Sequence, residues 1–369
     1  MPTVAYDYHI FSQQCVGGIS RYFCEIASRA DRGHEWNVNV IAPIHFNDHL
    51  ATTVVKTIGI YAPKVIPKTG WLYRGINAAV SPTLLTMIRP DIIHHTYYCA
   101  TKKPAACRSI VTVHDMIHEL FVGRFSKNDR TSALKRQAID QADHVICVSE
   151  STRGDLLKLF KVPEAKVSVV HHGFEKFSKV KSCPEYISNH IRPYLLYVGV
   201  RGGYKNFDGI LRAIASSRRL KEDFDIVAFG GGKFNGAENS LISKLQFKPA
   251  QVTQACGDDE TLARFYSQAT AFVYPSLYEG FGLPPLEAMA YRCPVISSNT
   301  SSMPEVIGKA GEFFNPVSID DIAAAIEQVV YSPTRTQELI ELGCQRLKLF
   351  SWDRCTERTL DVYKAVIST

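Results

Sequence analysis

The stretch richest in chemistry is Tyr274-Pro-Ser-Leu-Tyr-Glu-Gly-Phe-Gly-Leu-Pro-Pro-Leu-Glu-Ala-Met-Ala290. An apolar strand running to Pro275 gives way to a glycine-containing loop, Glu279 to Leu283, and Pro284 and Pro285 stand where the first turn of a helix tolerates a missing N–H. The start of that helix then faces the loop. Its unpaired N–H groups and positive dipole end suit an anion such as a diphosphate, while Gly280 and Gly282, on either side of Phe281, let backbone approach a ligand closely. Glu279 and Glu287 flank the same spot. Two carboxylates beside a phosphate repel it unless they accept hydrogen bonds from hydroxyls, and sugars and ribose offer those hydroxyls. Stripped of the glycine and proline context, the pair also reads as a solvated loop acid and a helix-start acid.

A second cluster, Tyr197-Val-Gly-Val-Arg-Gly-Gly-Tyr-Lys-Asn-Phe207, is again a strand entering a glycine turn. It sets Arg201 and Lys205 at the carboxyl end of a strand, the edge where open α/β sheets bind ligands. Two cations there can hold a diphosphate and stabilise its departure without a metal. Gly17 and Gly18 precede a helix that follows the first strand, and His114 and Asp115 close another strand. His114 and His118 invite a metal reading, but they straddle a strand end and lack the H-E-x-x-H pattern, so no metal site is expected there. Gly230-Gly-Gly-Lys233 fails the Walker spacing, and Asn235 stands where a dinucleotide fingerprint needs its third glycine. Asp223-Phe-Asp225, a D-x-D, falls at the start of a strand, the wrong end for a ligand in a parallel sheet.

The elements that must position these residues alternate as strand and helix throughout, the pattern of parallel sheets with crossover helices. Strands are expected at Thr3 to Tyr8, Asn37 to Ala42, Asp91 to His95, Ser109 to His114, His144 to Ser149 and Val167 to His171. In the second half they are expected at Tyr194 to Val200, Phe224 to Phe229, Gln251 to Cys256, Ala271 to Pro275, Pro294 to Ser298 and Glu312 to Phe314. Ser149 and Ser318 read as caps of helices at Ser151 to Phe160 and Ile319 to Tyr331. Ser351 to Ile367 has the periodicity of an amphipathic helix in need of a partner surface. Ser178 to Pro193 lacks periodicity and reads as a linker.

Composition bounds the rest. A chain of 369 residues with 46% hydrophobic and 21% charged residues suits two globular domains and excludes disorder. Ten cysteines never fall as C-x-x-C and are too sparse for a disulfide scaffold, so free thiols are expected. No apolar run approaches a membrane span, and the N-terminus shows no signal peptide, so a cytoplasmic protein is expected. Residues 1–180 hold 22 basic and 15 acidic residues, and the remainder 20 and 21, which places the whole excess of positive charge in the first half. With no basic block and no RNA-binding signature, a nucleic-acid partner is not expected.

In order and spacing, Gly17-Gly18, His114-Asp115, Val148-Ser149-Glu150, Arg201 with Lys205, and above all Glu279-Gly-Phe-Gly-Leu-Pro-Pro-Leu-Glu287 resemble the retaining nucleotide-sugar glycosyltransferases of family 4. The resemblance covers nearly the whole chain. It implies an α/β protein of GT-B architecture, two Rossmann-like doubly wound domains facing across a cleft. Residues 1–180 would form the acceptor-binding domain, 181–350 would bind the nucleotide sugar, and a C-terminal helix, 351–369, would pack back on the first domain. It further implies that Arg201 and Lys205 grip the diphosphate, that Glu279 accepts from the donor sugar and Glu287 from the ribose, and that the amides of Phe281, Gly282 and Leu283 line sugar and phosphate. Gly18 would approach the diphosphate from the other domain and His114 would touch the transferred sugar. The link Gly202-Gly203-Tyr204 is more glycine-rich than expected, which leaves the reach of Arg201 to the structure.

The expected activity is metal-independent, retaining transfer of a hexose to a polysaccharide or lipid-linked oligosaccharide, with no cofactor beyond the nucleotide-sugar cosubstrate. GDP-mannose is favoured because Gly-Gly-Ile-Ser-Arg-Tyr and the His-Asp stretch resemble mannosyltransferases of envelope polysaccharide assembly. A nucleotide-sugar epimerase or hydrolase, or a catalytically silent binding subunit, are the alternatives. Lys56, Lys64, Lys68, Trp71, Tyr73 and Arg74 form a basic, aromatic stretch suited to peripheral contact with the inner face of the cytoplasmic membrane.

Overall fold

The computed structural model describes residues 1–63, 69–99, 103–126, 128–176 and 192–368. Most of the expected linker, and Lys64 and Lys68 of the basic stretch, lie outside the described residues. The chain divides into two compact units: residues Met1–Gly173 with Ser351–Thr369, and residues Phe174–Phe350.

The first unit is built on a parallel sheet of seven strands. They are β1 (Thr3–Tyr6), β2 (Asn37–His45), β3 (Thr57–Tyr61), β4 (Ile92–His95), β5 (Arg108–Val113), β6 (His144–Cys147) and β7 (Val167–Val169), in the order β3-β2-β1-β4-β5-β6-β7. The order reverses between β1 and β4, where Tyr6 lies opposite both Val40 and His94. Such a switch point opens a crevice at the carboxyl ends of its two strands. β3 carries no expectation in the sequence: it is an edge strand, half-buried at Thr57 and Ile58 and exposed beyond, so its residues lack the apolar run that marks central strands. Gly59 lets it pair closely, since a Cβ there would lie 1.7 Å from the carbonyl oxygen of Ala42.

The helix Trp352–Ser368 belongs to this unit. Its Trp352, Cys355, Tyr363 and Val366 join the core of Val4, Tyr6, Phe23, Ile26 and Trp36. Tyr363 is hydrogen-bonded through its hydroxyl to His94 Nδ1 at 2.6 Å and to the hydroxyl of Tyr6 at 3.1 Å, and Thr112 takes the other nitrogen of His94 at 2.8 Å. Burial holds His94 down at about 3, so it packs as neutral imidazole.

The second unit carries β8 (Tyr194–Val198), β9 (Asp225–Phe229), β10 (Val252–Ala255), β11 (Ala271–Tyr274), β12 (Val295–Ser298) and β13 (Gly311–Phe314) in one parallel sheet, ordered β10-β9-β8-β11-β12-β13. Its switch point falls between β8 and β11. Leu195, Tyr197, Ile226, Val273 and Ile296 form the core with the helices Phe207–Ser216 and Ile319–Val330. Ser149 and Ser318 cap their helices through the amides of Thr152 and Asp321. Several strands stop short of their expected ends: β5 ends at Val113 rather than His114, β8 at Val198 rather than Val200, β11 at Tyr274 rather than Pro275. The residues beyond them leave the ladder for loops. No helix among the described residues is long and apolar enough to cross a membrane.

Candidate functional site

Lys205 and Glu279 come from the two strands flanking the second switch point. Lys205 ends a short 3-10 turn, Gly203–Lys205, after β8, and Glu279 lies in the loop after β11. Lys205 Nζ donates to Glu279 Oε1 at 2.6 Å, although the residues are 74 positions apart. The two loops are tied together through backbone, Leu277 N–H donating to the carbonyl of Tyr204 at 2.7 Å. Asn206 adds a clamp, its amide reaching the carbonyls of Pro275 at 3.2 Å and Pro316 at 2.8 Å. Tyr274 lies under the pair with its phenol bonded to Glu279, and burial beside that carboxylate pushes the phenol well up.

The glycine loop is pinned from the other side. The Ser302 hydroxyl donates to the carbonyls of Glu279 at 2.9 Å and Phe281 at 2.8 Å, and the Glu279 amide donates to Ser301 Oγ at 2.9 Å. The helix Leu283–Ala290 starts where expected, with Gly282 as its cap residue at φ 95° and prolines in the first turn. A side chain at Gly282 would be strained by that φ, although a Cβ there would meet its nearest neighbour, Met303 Sδ, only in ordinary contact at 3.5 Å. Among the described residues no capping side chain closes this helix end, and Pro284 and Pro285 lack N–H groups, so the dipole's positive pole is expressed mainly at the amides of Gly282 and Leu283. Glu287 stands half-buried on the same helix and accepts from the hydroxyl of Tyr266 at 3.1 Å.

Arg201 is placed differently from the expectation. Its guanidinium is buried and held by Glu238, with Nε to Oε1 at 2.8 Å and Nη2 to Oε2 at 3.3 Å. It also donates to the carbonyls of Gly230, Gly231, Gly232 and Lys233 at 2.7 to 3.3 Å. Gly230, Gly231 and Gly232 all take positive φ, turning their carbonyls onto the guanidinium. Glu238 in turn completes a capping box with Asn235 on the next helix. The Gly-Gly-Gly-Lys segment that mimics a phosphate loop in sequence is thus the acceptor of an arginine clamp. Backbone carbonyls leave no mark in a sequence beyond the glycines that permit the turn.

In the first unit, Gly17 caps and Gly18 opens the helix Gly18–Arg32. Gly17 has extended φ, and a Cβ on Gly18 would meet nothing within 4 Å, so the protein's own packing does not demand glycine at Gly18. His114 is buried, edge-on to Tyr22 and stacked on His172 with ring centroids 5.6 Å apart. Its Nε2 has no hydrogen-bond partner among the described residues, and burial holds its pKa well down. His118 instead stacks on Phe125 and approaches Asp129 at 3.5 Å. Asp225 pairs with Arg192 at 3.1 Å and Asp223 accepts from Tyr331, so the D-x-D is occupied by structural contacts. The sequence reading assigned nothing to one cluster the fold assembles, that of Asp7, His95 and Cys99.

Comparison with known proteins follows the same division of the chain. The family model Glycosyltransferase Family 4 matches residues 16–176, and the model Glycosyl transferases group 1 matches residues 184–346. O-antigen chain mannosyltransferase B of Escherichia coli is 29% identical over 277 residues, covering 70% of each chain. MMP alpha-(1->4)-mannosyltransferase of Mycolicibacterium hassiacum is 28% identical over 240 residues, 64% of this chain and 57% of that protein. Sucrose-phosphate synthase from Thermosynechococcus elongatus superposes over the full length of both chains with a TM-score of 0.76 at 20% identity, a likeness of fold. The two sheets, the switch-point loops and these matches define a GT-B glycosyltransferase. The chain belongs to glycosyltransferase family 4.

Proposed function

We propose that the chain is a retaining, metal-independent hexosyltransferase that moves mannose from GDP-mannose to a polysaccharide or lipid-linked oligosaccharide acceptor. The observation that carries this reading is the Lys205–Glu279 pair beside the uncapped helix start at Gly282 and Leu283. With one of its three donors on Glu279, Lys205 keeps two for phosphate oxygens, and the amides at the helix start add fixed partial charge. Preorganised positive charge of this kind stabilises a departing diphosphate more than it stabilises the intact donor. Glu279 Oε2 accepts from a sugar hydroxyl and Glu287 from the ribose. The departing diphosphate takes the acceptor's proton as the new bond forms on the same face.

Arg201 acts through position: it fixes the loop Gly230–Lys233 that borders the strand ends β8 and β9. In the first unit the candidates are His114, whose Nε2 has no hydrogen-bond partner among the described residues, and Gly18, where a Cβ would meet nothing within 4 Å. Mannose is supported by the mannosyltransferase relatives, whose names carry that sugar.

Thermal stabilisation by a panel of GDP, UDP and ADP sugars tests the donor. A ligand at 100 times its Kd adds about 2.7 kcal/mol. GDP-mannose is expected to stand out, and equal or greater stabilisation by a UDP-hexose overturns the choice. Chelator-treated protein is expected to transfer without added manganese or magnesium. Transfer that depends on either ion overturns metal independence, and rapid release of free nucleotide without acceptor points to a hydrolase.

A further inference from the structure

Asp7 follows β1 and His95 ends β4, so the strands flanking the first switch point bring a carboxylate and an imidazole to one place. Asp7 Oδ2 lies 2.7 Å from His95 Nδ1 and 3.1 Å from His9 Nδ1, and Cys99 Sγ lies 3.5 Å from His95 Nδ1. Asp7, His95 and Cys99 are all buried, with their ligand atoms within 4.8 Å of one another. The other carboxylate oxygen, Oδ1, is occupied by the amide of Thr96 at 3.0 Å and its hydroxyl at 2.6 Å. That fixes the carboxylate and leaves Oδ2 for the imidazoles, the way outer partners orient a metal ligand. His9 Nδ1 is shut from solvent and, for all its closeness to Oδ2, lacks a hydrogen bond of sound geometry among the described residues.

We propose that Asp7, His9, His95 and Cys99 bind one Zn²⁺ ion. Sulfur and imidazole donors beside one carboxylate select zinc over the hard cations magnesium and calcium. Carboxylate and thiolate balance the dipositive ion, the imidazoles bind neutral, and the thiol proton goes to solvent. A tetrahedral zinc holds N, O and S donors roughly 3.3 to 3.6 Å apart. The separations of 2.7, 3.1 and 3.5 Å need to open by less than about 1 Å to admit it. A cavity of about 350 Å³, lined by His95, Cys99, Lys103 and Gln141 among others, gives the thiol side a way in. The ion would staple the loop after β1 to the end of β4. The Lys205–Glu279 pair belongs to the other unit.

The test uses full-length protein purified without a polyhistidine tag, stripped of metal and titrated with Co²⁺ as a spectroscopic stand-in for zinc. One equivalent is expected to produce a thiolate-to-cobalt charge-transfer band and the strong visible bands of four-coordination, and Zn²⁺ is expected to displace it and raise Tm. Cys99→Ser should abolish the charge-transfer band. His95→Ala and Asp7→Asn should weaken binding at least tenfold, while a Cys15→Ser/Cys256→Ser double variant, which removes two exposed thiols, should keep the band. Persistence of the band in Cys99→Ser, or stripped protein that neither binds Co²⁺ nor gains Tm with Zn²⁺, overturns the site and leaves an ordinary buried ion pair. Because the readout is taken on resting protein, failure of the donor assignment would leave this result unaffected.

Discussion

Lys205 and Arg201 sit four residues apart in one loop and are spent on different things, which separates their variants. Lys205→Ala removes a cation from the developing diphosphate charge and should lower kcat by on the order of a hundredfold, with Tm nearly unchanged. Arg201→Ala leaves the Glu238 carboxylate and the carbonyls of Gly230 to Lys233 uncovered. It should cost roughly 3 kcal/mol of stability, the scale for breaking a buried pair from one side. Steady-state kinetics alongside thermal melts read both, and an Arg201→Ala protein as stable as its parent removes the clamp. A second pair divides the donor. Glu279→Gln should impair transfer while sparing affinity for free nucleotide, and Glu287→Ala should weaken nucleotide and nucleotide sugar alike. The assignments are reversed if calorimetry with free GDP shows the larger loss for Glu279→Gln. The acidic pair and the lysine were legible because each lies beyond a strand end in a segment that contains glycine. The arginine's partners were not, since four of them are backbone carbonyls. Asp7, His95 and Cys99 escaped notice because their spacing follows no motif, and His94-His95 looks like one strand ending although alternation sends the two rings to different partners.

At the scale of elements, strand cores were readable from apolar runs, and the misses fall where burial is one-sided. The helix Gly70–Ile88 is the clearest case: Trp71, Leu72, Val80 and Met87 are exposed on it, and Ile60 is exposed on the edge strand β3. A helix with apolar residues on its outer side lacks the binary pattern that identifies a soluble helix. Together with Lys56 and Arg74, this surface leads to the expectation that the protein cosediments with anionic vesicles at low salt. Binding should fall as salt screens the charges and weaken in a Trp71→Ser/Arg74→Glu variant. Retention of the protein in the supernatant with strongly anionic vesicles at low salt would favour a soluble saccharide acceptor.

The same scale governs the response to acid. His94 and His172 are held down at about 3, and His114 well below its ordinary value, in each case first by burial. His94 also feels His95, which lowers it further, and Asp7, which raises it, while His114 and His172 face one another. A depressed histidine takes up its proton more readily when unfolded, so its contribution is complete above about 6.5 and is lost as pH falls from there toward 3. Each such group removes up to about 1.4 kcal/mol per pH unit in that window. In metal-free protein His9 and His95, both raised to about 10, work the other way near neutrality, since the folded chain holds their protons while the unfolded chain takes them up only through about 6.5; below about 5.5 they no longer offset the loss. All three tryptophans, Trp36, Trp71 and Trp352, lie in the first unit, so their fluorescence reports its unfolding alone. Its midpoint temperature should drop steadily between pH 6 and 4. A flat profile would mean that the histidines gain protons without opening the core.

For the whole molecule, the division into two units and the return of the last helix to the first unit decide the order in which the parts can be finished. Trp352, Cys355, Tyr363 and Val366 complete a core otherwise built from residues translated before the second unit begins. On the ribosome, the second unit emerges whole while the first still lacks the hydroxyl that satisfies His94 and the side chains that cover Tyr6 and Trp36. The nascent first unit therefore waits, with apolar surface open, through the synthesis of some 177 residues. During that interval it is the natural client of a holding chaperone, and the half of the molecule made first is the half that becomes native last.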